Sequence, residues 1–371
     1  MPPDVKVVDR LTITFLVDNC TEWMSKLPPG FTHELPQHLQ QQDHGTFDDA
    51  KGVPVLDFDN FCCGAHGFSA LIETSVADED RTHLTLFDTG PDSLSLVRNL
   101  GALEVPIQRI ERVITSHWHS DHSGGLLSFL QMRRKVEKNI DPGSIPTCVV
   151  DVHPDRPIAR GIAPGPAYDK VICAIPPDPS FEAIELAGGV LEKHSEGHAV
   201  ANSTVWVSGE IPRVTEYEIG ILGGQRWVNT HTNGEPGGKW ITENHIMDER
   251  YAVIDVAGKG MVIFSACSHA GIVNVIKDAV SLFQRPIYMV IGGLHLAGPE
   301  FGPRIPMTVD FLSNKLRPAP TYVLPMHCSG FQAKLALEKA FGEGCVPAGV
   351  GIKFDMLGNK DADKLLFPSS Y

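Results

Sequence analysis

The sequence predicts an α/β fold in which two sheets face each other and helices cover the outside. Apolar runs bounded by turn residues predict a hairpin, a helix, a strand, a second helix and a further strand between residues 68 and 152. The same order returns between residues 251 and 324, without internal sequence identity. A β-rich unit that occurs twice can bury one face of each sheet against the other. We therefore interpret residues 1–371 as a single domain built from two such units.

The first unit follows a strand predicted at residues 5–17. Its hairpin flanks the polar turn ADEDRT. Leu94, Val97 and Leu100 then have helical spacing, and Pro91 is compatible with a helix start. The unit comprises strands at 68–76 and 83–87, a helix at 91–102, a strand at 112–115, a helix at 123–138 and a strand at 146–152.

The second unit opens with a hairpin that turns at Ala257-Gly258-Lys259-Gly260. Apolar alternation predicts its strands, and apolar residues at helical spacing predict its helices. It comprises strands at 251–256 and 261–266, a helix at 272–283, a strand at 287–291, a helix at 307–316, a strand at 321–324 and a helix at 331–341.

Residues 153–250, between the two units, are rich in proline and glycine, and only residues 204–208 are strongly strand-like. A long loop-rich segment inside a compact domain is usually functional. We expect an irregular cap that binds the substrate. Its aromatic residues suit a small, partly apolar molecule in an enclosed pocket. They are Tyr168, Trp206, Tyr217, Trp227 and Trp240.

Composition limits the partners. The formal net charge is −14 and no stripe of Lys and Arg occurs, which argues against nucleic acid and anionic membranes. No apolar run is long enough to span a bilayer, and the N-terminal residues lack the features of a signal peptide. The eight cysteines are scattered without a C-x-x-C pair, as is typical of reduced thiols. We expect a cytoplasmic protein with a small-molecule substrate; oligomeric state cannot be inferred.

Four predicted strands end in the same way, with a histidine. They deliver His117, His269, His295 and His327 in the segments RVITSH, MVIFSACSH, IYMVIGGLH and TYVLPMH. Ligands of α/β proteins bind beyond the carboxyl ends of the strands. We therefore expect these four of the 16 histidines to converge on one edge of the fold.

The segment TSHWHSDHSGGL concentrates four candidate metal ligands within six residues. In an extended loop, residues two apart point the same way, so His117 and His119 can hold one cation. Asp121 and His122 lie where the chain turns into a helix and can serve a second. Imidazole and carboxylate suit zinc, iron or manganese. The segment predicts two divalent transition metal ions, with zinc the foremost choice and Mn or Fe the alternatives.

The motif H-x-H-x-D-H after an apolar strand, with a preceding hairpin that ends in Asp88-Thr89-Gly90, resembles the metallo-β-lactamase superfamily. This resemblance covers residues 5–354 and implies a four-layer αββα sandwich. The stretches HGFSALIET, SGEIPR, SACSHAGIVN, GGLHL and MHCSG resemble the branch that includes archaeal dihydropteroate-synthase-like proteins.

Carried over residue by residue, the resemblance assigns His117 and His119 to the first metal and Asp121 and His122 to the second. His327 matches the C-terminal metal-binding histidine of the family and joins the second site. The superfamily also supplies a histidine in a Gly-His-Thr-like segment and a bridging aspartate, and neither is evident here.

Candidates for the missing ligand lie in the second half of the chain. Cys267 stands where the bridging aspartate is expected, two residues before His269. We expect His269 to be the missing ligand, with Cys267 as a second candidate and His245 in reserve. His295 is either a ligand or a proton donor.

Four further residues have a functional and a structural interpretation. Asp88 resembles the family aspartate that orients a ligand imidazole, but Asp is also common in turns. His153 and Arg213 are candidates for substrate contact; the alternatives are a surface position for His153 and an ion pair with a nearby glutamate for Arg213. Trp118 either lines the pocket or packs in the core.

The predicted activity is hydrolysis of a small-molecule cyclic amide or ester, a lactam or lactone, by a metal-activated hydroxide. Asp121 or His295 would pass a proton to the leaving group. Neither a G-x-S-x-G motif nor a P-loop offers a competing chemistry. The branch resemblance implies an alternative, a synthase that joins a dihydropterin to an arylamine. A non-catalytic metal-binding protein is a third hypothesis.

Overall fold

The structure is a computed structural model that describes residues 3–40, 46–138, 145–232 and 235–371. The strands are β1 (Arg10–Val17), β2 (Phe31–Thr32), β3 (Thr46–Asp48), β4 (Val53–Val55), β5 (Ser69–Ser75), β6 (His83–Phe87), β7 (Ile110–Ile114), β8 (Val149–Val152), β9 (Arg160–Ile162), β10 (Cys173–Ala174), β11 (Val190–Lys193), β12 (His198–Val200), β13 (Val205–Val207), β14 (Gly224–Thr232), β15 (Glu235–Thr242), β16 (Ala252–Val256), β17 (Gly260–Ser265), β18 (Ile287–Gly293), β19 (Tyr322–Met326) and β20 (Lys353–Leu357). The helices are α1 (Glu34–Gln40), α2 (Ser93–Ala102), α3 (Ser120–Ser123), α4 (Leu126–Glu137), α5 (Phe181–Ala187), α6 (Ile272–Phe283), α7 (Ile305–Asp310), α8 (Phe331–Phe341) and α9 (Lys360–Asp363). In these ranges no helix combines the length and the apolar character needed to cross a membrane.

Two sheets form the centre of the fold. The strand order is β11-β8-β7-β6-β5-β1-β20-β2 in the eight-stranded sheet and β12-β13-β16-β17-β18-β19 in the six-stranded sheet. One buried cluster joins their inner faces, with Ile13 and Phe15 from the first sheet and Phe264 and Ile291 from the second. The two predicted units thus fall into separate sheets that face each other.

Helices cover both outer faces, because the strands alternate apolar residues to either side. In β17, Val262 and Phe264 join the inner cluster, whereas Met261 and Ile263 pack outward with α6 and α8. Helices α2, α4 and α5 cover the outer face of the eight-stranded sheet. Each fully buried side chain of this size contributes roughly 1.5–3 kcal/mol. The predicted αββα sandwich is confirmed.

The segment 153–250 is more regular than predicted. Strands β10, β9, β14 and β15 form a four-stranded sheet, and β11, β12 and β13 join the two main sheets. The β14–β15 hairpin escaped prediction because glycines interrupt its pattern. A Cβ at Gly238 would lie 2.2 Å from the Trp227 ring, so only glycine leaves space for the indole of the paired strand.

The helix predicted at residues 123–138 is observed as α4, which begins at Leu126, and the unpredicted short helix α3 precedes it, with Gly124 and Gly125 between the two. A Cβ at Gly124 would lie 2.0 Å from the carbonyl oxygen of Pro91, and one at Gly125 would lie 2.2 Å from that of Thr89. The two glycines therefore let the loop after β6 pack directly on the start of the helix. This loop carries Asp88.

Candidate metal centre

Three imidazoles meet at one point between the loops after β7 and β17. The distance from Nε2 of His117 to Nδ1 of His119 is 3.0 Å, from that Nδ1 to Nε2 of His269 is 3.1 Å, and from that Nε2 back to Nε2 of His117 is 3.2 Å. Nitrogens bound to one tetrahedral zinc at about 2.0–2.1 Å lie about 3.4 Å apart. The triangle therefore fits one cation.

The protonation of these histidines agrees with that fit. Burial lowers the pKa of His119 to about 3 and holds the pKa of His117 and of His269 well below the usual value. All three imidazoles are neutral at pH 7, and each has a lone pair to donate. Neutral imidazole is the form that binds metals.

A second group adjoins the first. Asp121, His122, Cys267 and His327 each bring one ligand atom within 4.8 Å of the others. Nε2 of His327 lies 3.3 Å from Oδ2 of Asp121, and Sγ of Cys267 lies 3.2 Å from Nε2 of His122. Cys267 also belongs to a group with His117 and His269. The Cys267 thiol therefore lies between the first and the second ligand group.

The second group offers an ionised carboxylate beside a protonated imidazole. Burial raises the pKa of Asp121, but His122 and His327 more than offset this and hold it well below the usual range, so the carboxylate is ionised. Burial lowers the pKa of His122, whereas Asp121 and Asp88 raise it, with a net value of about 9. A metal ion binding at Nε2 would take the place of the proton there.

Asp88 fixes the orientation of His122. Its Oδ2 accepts a hydrogen bond from Nδ1 of His122 at 2.8 Å, and its Oδ1 accepts one from the backbone N–H of Ser116 at 2.7 Å. Asp88 has φ 58°, a left-handed conformation that is uncommon for a non-glycine residue and recurs at functional sites. Asp88 therefore combines both roles considered from the sequence, turn residue and orienting residue.

Three consecutive buried charged residues form hydrogen bonds with the backbone of the loops that carry the candidate ligands. They were not identified from the sequence. Asp248 accepts the N–H of Trp118 at 2.6 Å, and Glu249 accepts the N–H of His269 at 2.7 Å. Arg250 donates to the carbonyl of the residue after β7 at 2.6 Å. Burial raises the pKa of Glu249 to about 7. The available signal was a run of three charges directly before an apolar strand.

Two residues directly after β1 contact the candidate ligand His327, and they too were not identified from the sequence. Asp18 accepts the N–H of His327 at 2.7 Å, and Oδ1 of Asn19 lies 3.1 Å from Nδ1 of that histidine. Asn19 also contacts the exposed His66, whose Nε2 is 3.7 Å from Oδ2 of Asp121. The signal was polar residues at the end of a predicted strand.

A cavity of about 230 Å³ opens beside the three-histidine group. His119, His269 and His295 form one side, and the four-stranded sheet with its flanking loops forms much of the rest. The other side chains used below are Arg160, Ile162, Ile175, Ile221, Glu243 and Phe301. None of the five cap aromatics named above is among the described residues that line it. The apolar wall is aliphatic, with one aromatic ring contributed by Phe301.

The candidate substrate residues lie elsewhere. The Trp118 ring is fully buried, packs 5.9 Å from Phe181, and donates from Nε1 to the carbonyl of His153, which agrees with packing in the core, the second of its two interpretations. Nδ1 of His153 accepts a hydrogen bond from the N–H of Asp155. Arg213 points its guanidinium at backbone carbonyls 3.4 Å away. Neither His153 nor Arg213 is among the described residues that line the cavity.

The four candidates for the remaining ligand occupy different positions. His269 lies in the three-histidine group and Cys267 lies between the two groups. His295 lines the cavity, 4.5 Å from His269 between ring centroids, and forms a third group with Cys267 and Cys328. His245 is exposed and belongs to no such group among the described residues.

Comparison with known proteins agrees with the fold. Residues 67–215 match the profile of the metallo-beta-lactamase superfamily. The structure resembles that of Tm1679, a metal-dependent hydrolase of the beta-lactamase superfamily, with a TM-score of 0.58 and 20% identity, over 94% of this chain and 99% of that one.

Two similar proteins come from Methanocaldococcus jannaschii. One, described as uncharacterized, is 28% identical over 77% of this chain and 93% of its own length. The other is 27% identical over 78% of this chain and 90% of its own length; it is 7,8-dihydropterin-6-methyl-4-(beta-D-ribofuranosyl)-aminobenzene-5'-phosphate synthase.

Proposed function

Because the chain carries a metallo-β-lactamase superfamily domain and has the corresponding fold, we propose that it is a metal-dependent hydrolase that opens a small-molecule cyclic amide or ester. One observation carries this proposal. Two histidines of the first ligand group, His119 and His269, line a cavity of about 230 Å³, and the second group adjoins the first, so a substrate bound in the cavity would have its reactive carbon next to the first cation. A lactone or lactam is the substrate class that we assign.

The residues have distinct roles in this proposal. Divalent cations, zinc foremost, would supply an activated water and polarise the substrate carbonyl. His117, His119 and His269 hold the first cation as neutral imidazoles, and Asp121 contributes an ionised carboxylate to the second. Backbone hydrogen bonds hold the loops that carry these groups, since Asp248 accepts the N–H of Trp118 and Glu249 accepts that of His269.

We assign the proton exchange with the leaving group to His295. Its ring lines the cavity, and its Nδ1 is buried without a hydrogen-bond partner in the described part of the chain. A buried polar atom without a partner costs about 1–3 kcal/mol, which a substrate oxygen or nitrogen would recover. Asp121 is the alternative proton carrier.

The cavity walls favour a compact, partly apolar ring. Ile162, Ile175 and Ile221 supply aliphatic surface, and Phe301 adds one aromatic ring. The charged lining residues Arg160 and Glu243 bond to each other at 2.7 Å and are not free to bind a charged substrate. A net charge of −14 also disfavours polyanionic substrates.

The test is a panel of lactones, lactams and simple esters, assayed with protein loaded with zinc or manganese. We expect opening of at least one cyclic substrate and a fall in kcat of at least about 100-fold in His295→Ala, as for loss of a general acid. Ile221→Ala should raise KM and leave kcat nearly unchanged, because it removes uniform binding. A loaded protein that opens no member of the panel would count decisively against hydrolysis.

A second candidate is a dihydropterin-related synthase, favoured by the 27% identical relative with that activity in its name. Such an enzyme would join a dihydropterin to an arylamine. Incubation with a dihydropterin diphosphate and an aminobenzoate derivative distinguishes the two, because only the synthase yields a coupled product. Bound metal with neither activity would instead identify a non-catalytic metal-binding protein.

A further inference from the structure

Two thiols and an imidazole form a third group, on the six-stranded-sheet side of the centre. Cys267, His295 and Cys328 follow the neighbouring parallel strands β17, β18 and β19, and one ligand atom of each lies within 4.8 Å of the others. The two sulfurs are 3.5 Å apart. Cys328 has no role in the two ligand groups described above, and His295 has been considered both as a ligand and as a proton carrier.

The geometry fits a cation better than a disulfide. Two thiolates on one tetrahedral zinc, each at about 2.3 Å, lie about 3.8 Å apart, whereas a disulfide brings the sulfurs to about 2.05 Å. The observed 3.5 Å is close to the first value. Thiolate with imidazole is a donor set that suits Zn²⁺ and other soft cations.

The backbone makes room for this arrangement. A Cβ at Gly293 would lie 2.5 Å from Sγ of Cys328, so only glycine leaves space for the thiol. His295 has φ 47° and His327, directly before Cys328, has φ 43°. Residues held in this left-handed region cluster where a structure positions functional groups.

We propose that Cys267, His295 and Cys328 form an additional site for a soft divalent cation. This site shares the Cys267 thiolate with the two neighbouring groups as a bridging ligand. The proposal concerns metal binding alone; it assigns the His295 imidazole to the cation and leaves Asp121 as the proton carrier of the proposed hydrolysis. It predicts a thiolate-rich position that the six histidine and aspartate candidates do not account for.

The experiment is anaerobic titration of the reduced, chelator-stripped full chain with Co²⁺, which absorbs by thiolate-to-metal charge transfer when sulfur binds it. In Cys328→Ser, we expect the metal content to fall by one equivalent per chain and the charge-transfer absorption to fall roughly by half, since one of two sulfur ligands is lost. His295→Ala should also lose one equivalent. Cys345→Ser, a half-buried thiol outside these groups, is the matched control and should behave as the wild type.

Several outcomes would overturn the proposal. They are an unchanged stoichiometry and spectrum in Cys328→Ser, an equal loss in Cys345→Ser, or thiol counting that finds the pair oxidised to a disulfide in the metal-loaded protein. Circular dichroism checks that each variant folds; if Cys328→Ser does not, Cys328→Ala and His295→Ala replace it. His119→Ala should keep the dithiolate spectrum, so failure of this site and failure of the hydrolase proposal remain distinguishable.

Discussion

The three imidazoles of the first ligand group must be uncharged as well as close together in order to bind a cation. Three imidazole nitrogens 3.0–3.2 Å apart cannot all be protonated in a buried site, because like charges and burial both disfavour the imidazolium form. Burial accordingly lowers the pKa of His119 to about 3. The same arrangement concentrates lone pairs on one point, which is what a cation requires.

His119→Ala should therefore remove one of the cations. We expect the metal content, by elemental analysis after purification without chelators, to fall by about one equivalent, and hydrolysis to fall by at least about 100-fold. His245→Ala is the control, since its side chain is exposed and belongs to neither ligand group. An equal loss of metal in both variants would show that the three-histidine group is not the binding site.

Glu218 makes stability depend on pH. Its carboxylate accepts the N–H groups of Val273 and Asn274 at the start of α6, and burial raises its pKa to about 7. The folded state then binds a proton that the unfolded state releases above about pH 4.5. The free energy of unfolding should fall by up to about 3 kcal/mol as the pH rises from about 4.5 to about 7.

Glu218→Gln should remove that dependence. Urea unfolding at pH 5 and pH 8 should show the variant gaining stability relative to the wild type as the pH rises, because it carries no proton to lose. Glu216→Gln, an exposed neighbour, is the control and should show no such change. A difference between Glu218→Gln and wild type that stays constant from pH 5 to pH 8 would contradict the role of this carboxyl.

The positions of the candidate histidine ligands could be predicted from the sequence more completely than the residues that hold their loops in place. The alternation of His117 and His119 and the strand-end location of His269 and His327 follow from local geometry. The residues that support them do not, since a charged run such as Asp248-Glu249-Arg250 normally indicates a solvated surface. Here it is buried against the loops after β7 and β17. Trp118 was ambiguous for the same reason: its neighbour Phe181 is remote in sequence.

At the scale of elements, the close contact between α3–α4 and the loop after β6 sets the position of His122. Gly124 permits this contact because any side chain there would meet the carbonyl of Pro91. The strands that frame the site were predictable, since their alternation is strong. The hairpin of β14 and β15 was not, because its pairing depends on an indole packed over a glycine across the strand.

Gly124→Ala should push α3 and α4 away from the loop after β6. We expect a loss of about 1–3 kcal/mol in unfolding free energy, from overpacking, together with weaker metal binding at the second group, because Asp88 then no longer meets His122. Gly101→Ala in α2 is the matched control. A Cβ there meets nothing within 4 Å, so the variant should gain about 0.5–1 kcal/mol. Equal stability of the two variants would show that the loop contact is not tight.

At the scale of the whole molecule, Arg160 connects the four-stranded sheet to the metal centre. From β9 it donates to Oε2 of Glu243 at 2.7 Å, to Oδ1 of Asp248 at 2.6 Å and to the carbonyl of Trp118 at 2.6 Å. Burial raises the pKa of Asp248, but Arg160 more than offsets this and holds it below the usual value. Because Asp248 also bonds to the N–H of Trp118, one buried ion pair holds both the cavity wall and the loop of candidate ligands.

Arg160→Met should cost about 3–5 kcal/mol in unfolding free energy, because it leaves the carboxylate of Asp248 buried and unpaired. Adding Asp248→Asn should recover part of this loss, since the variant no longer buries a lone charge. The control is Arg226→Met on β14. This arginine pairs with the more exposed Asp155 and, at 3.3 Å, with Glu243, which keeps its bond to Arg160, so the loss should be no more than about 1 kcal/mol. Denaturant unfolding measures all three. If Arg160→Met and Arg226→Met lost the same stability, the sheet would be held to the centre by its apolar contacts alone, and the cavity would not depend on this ion pair.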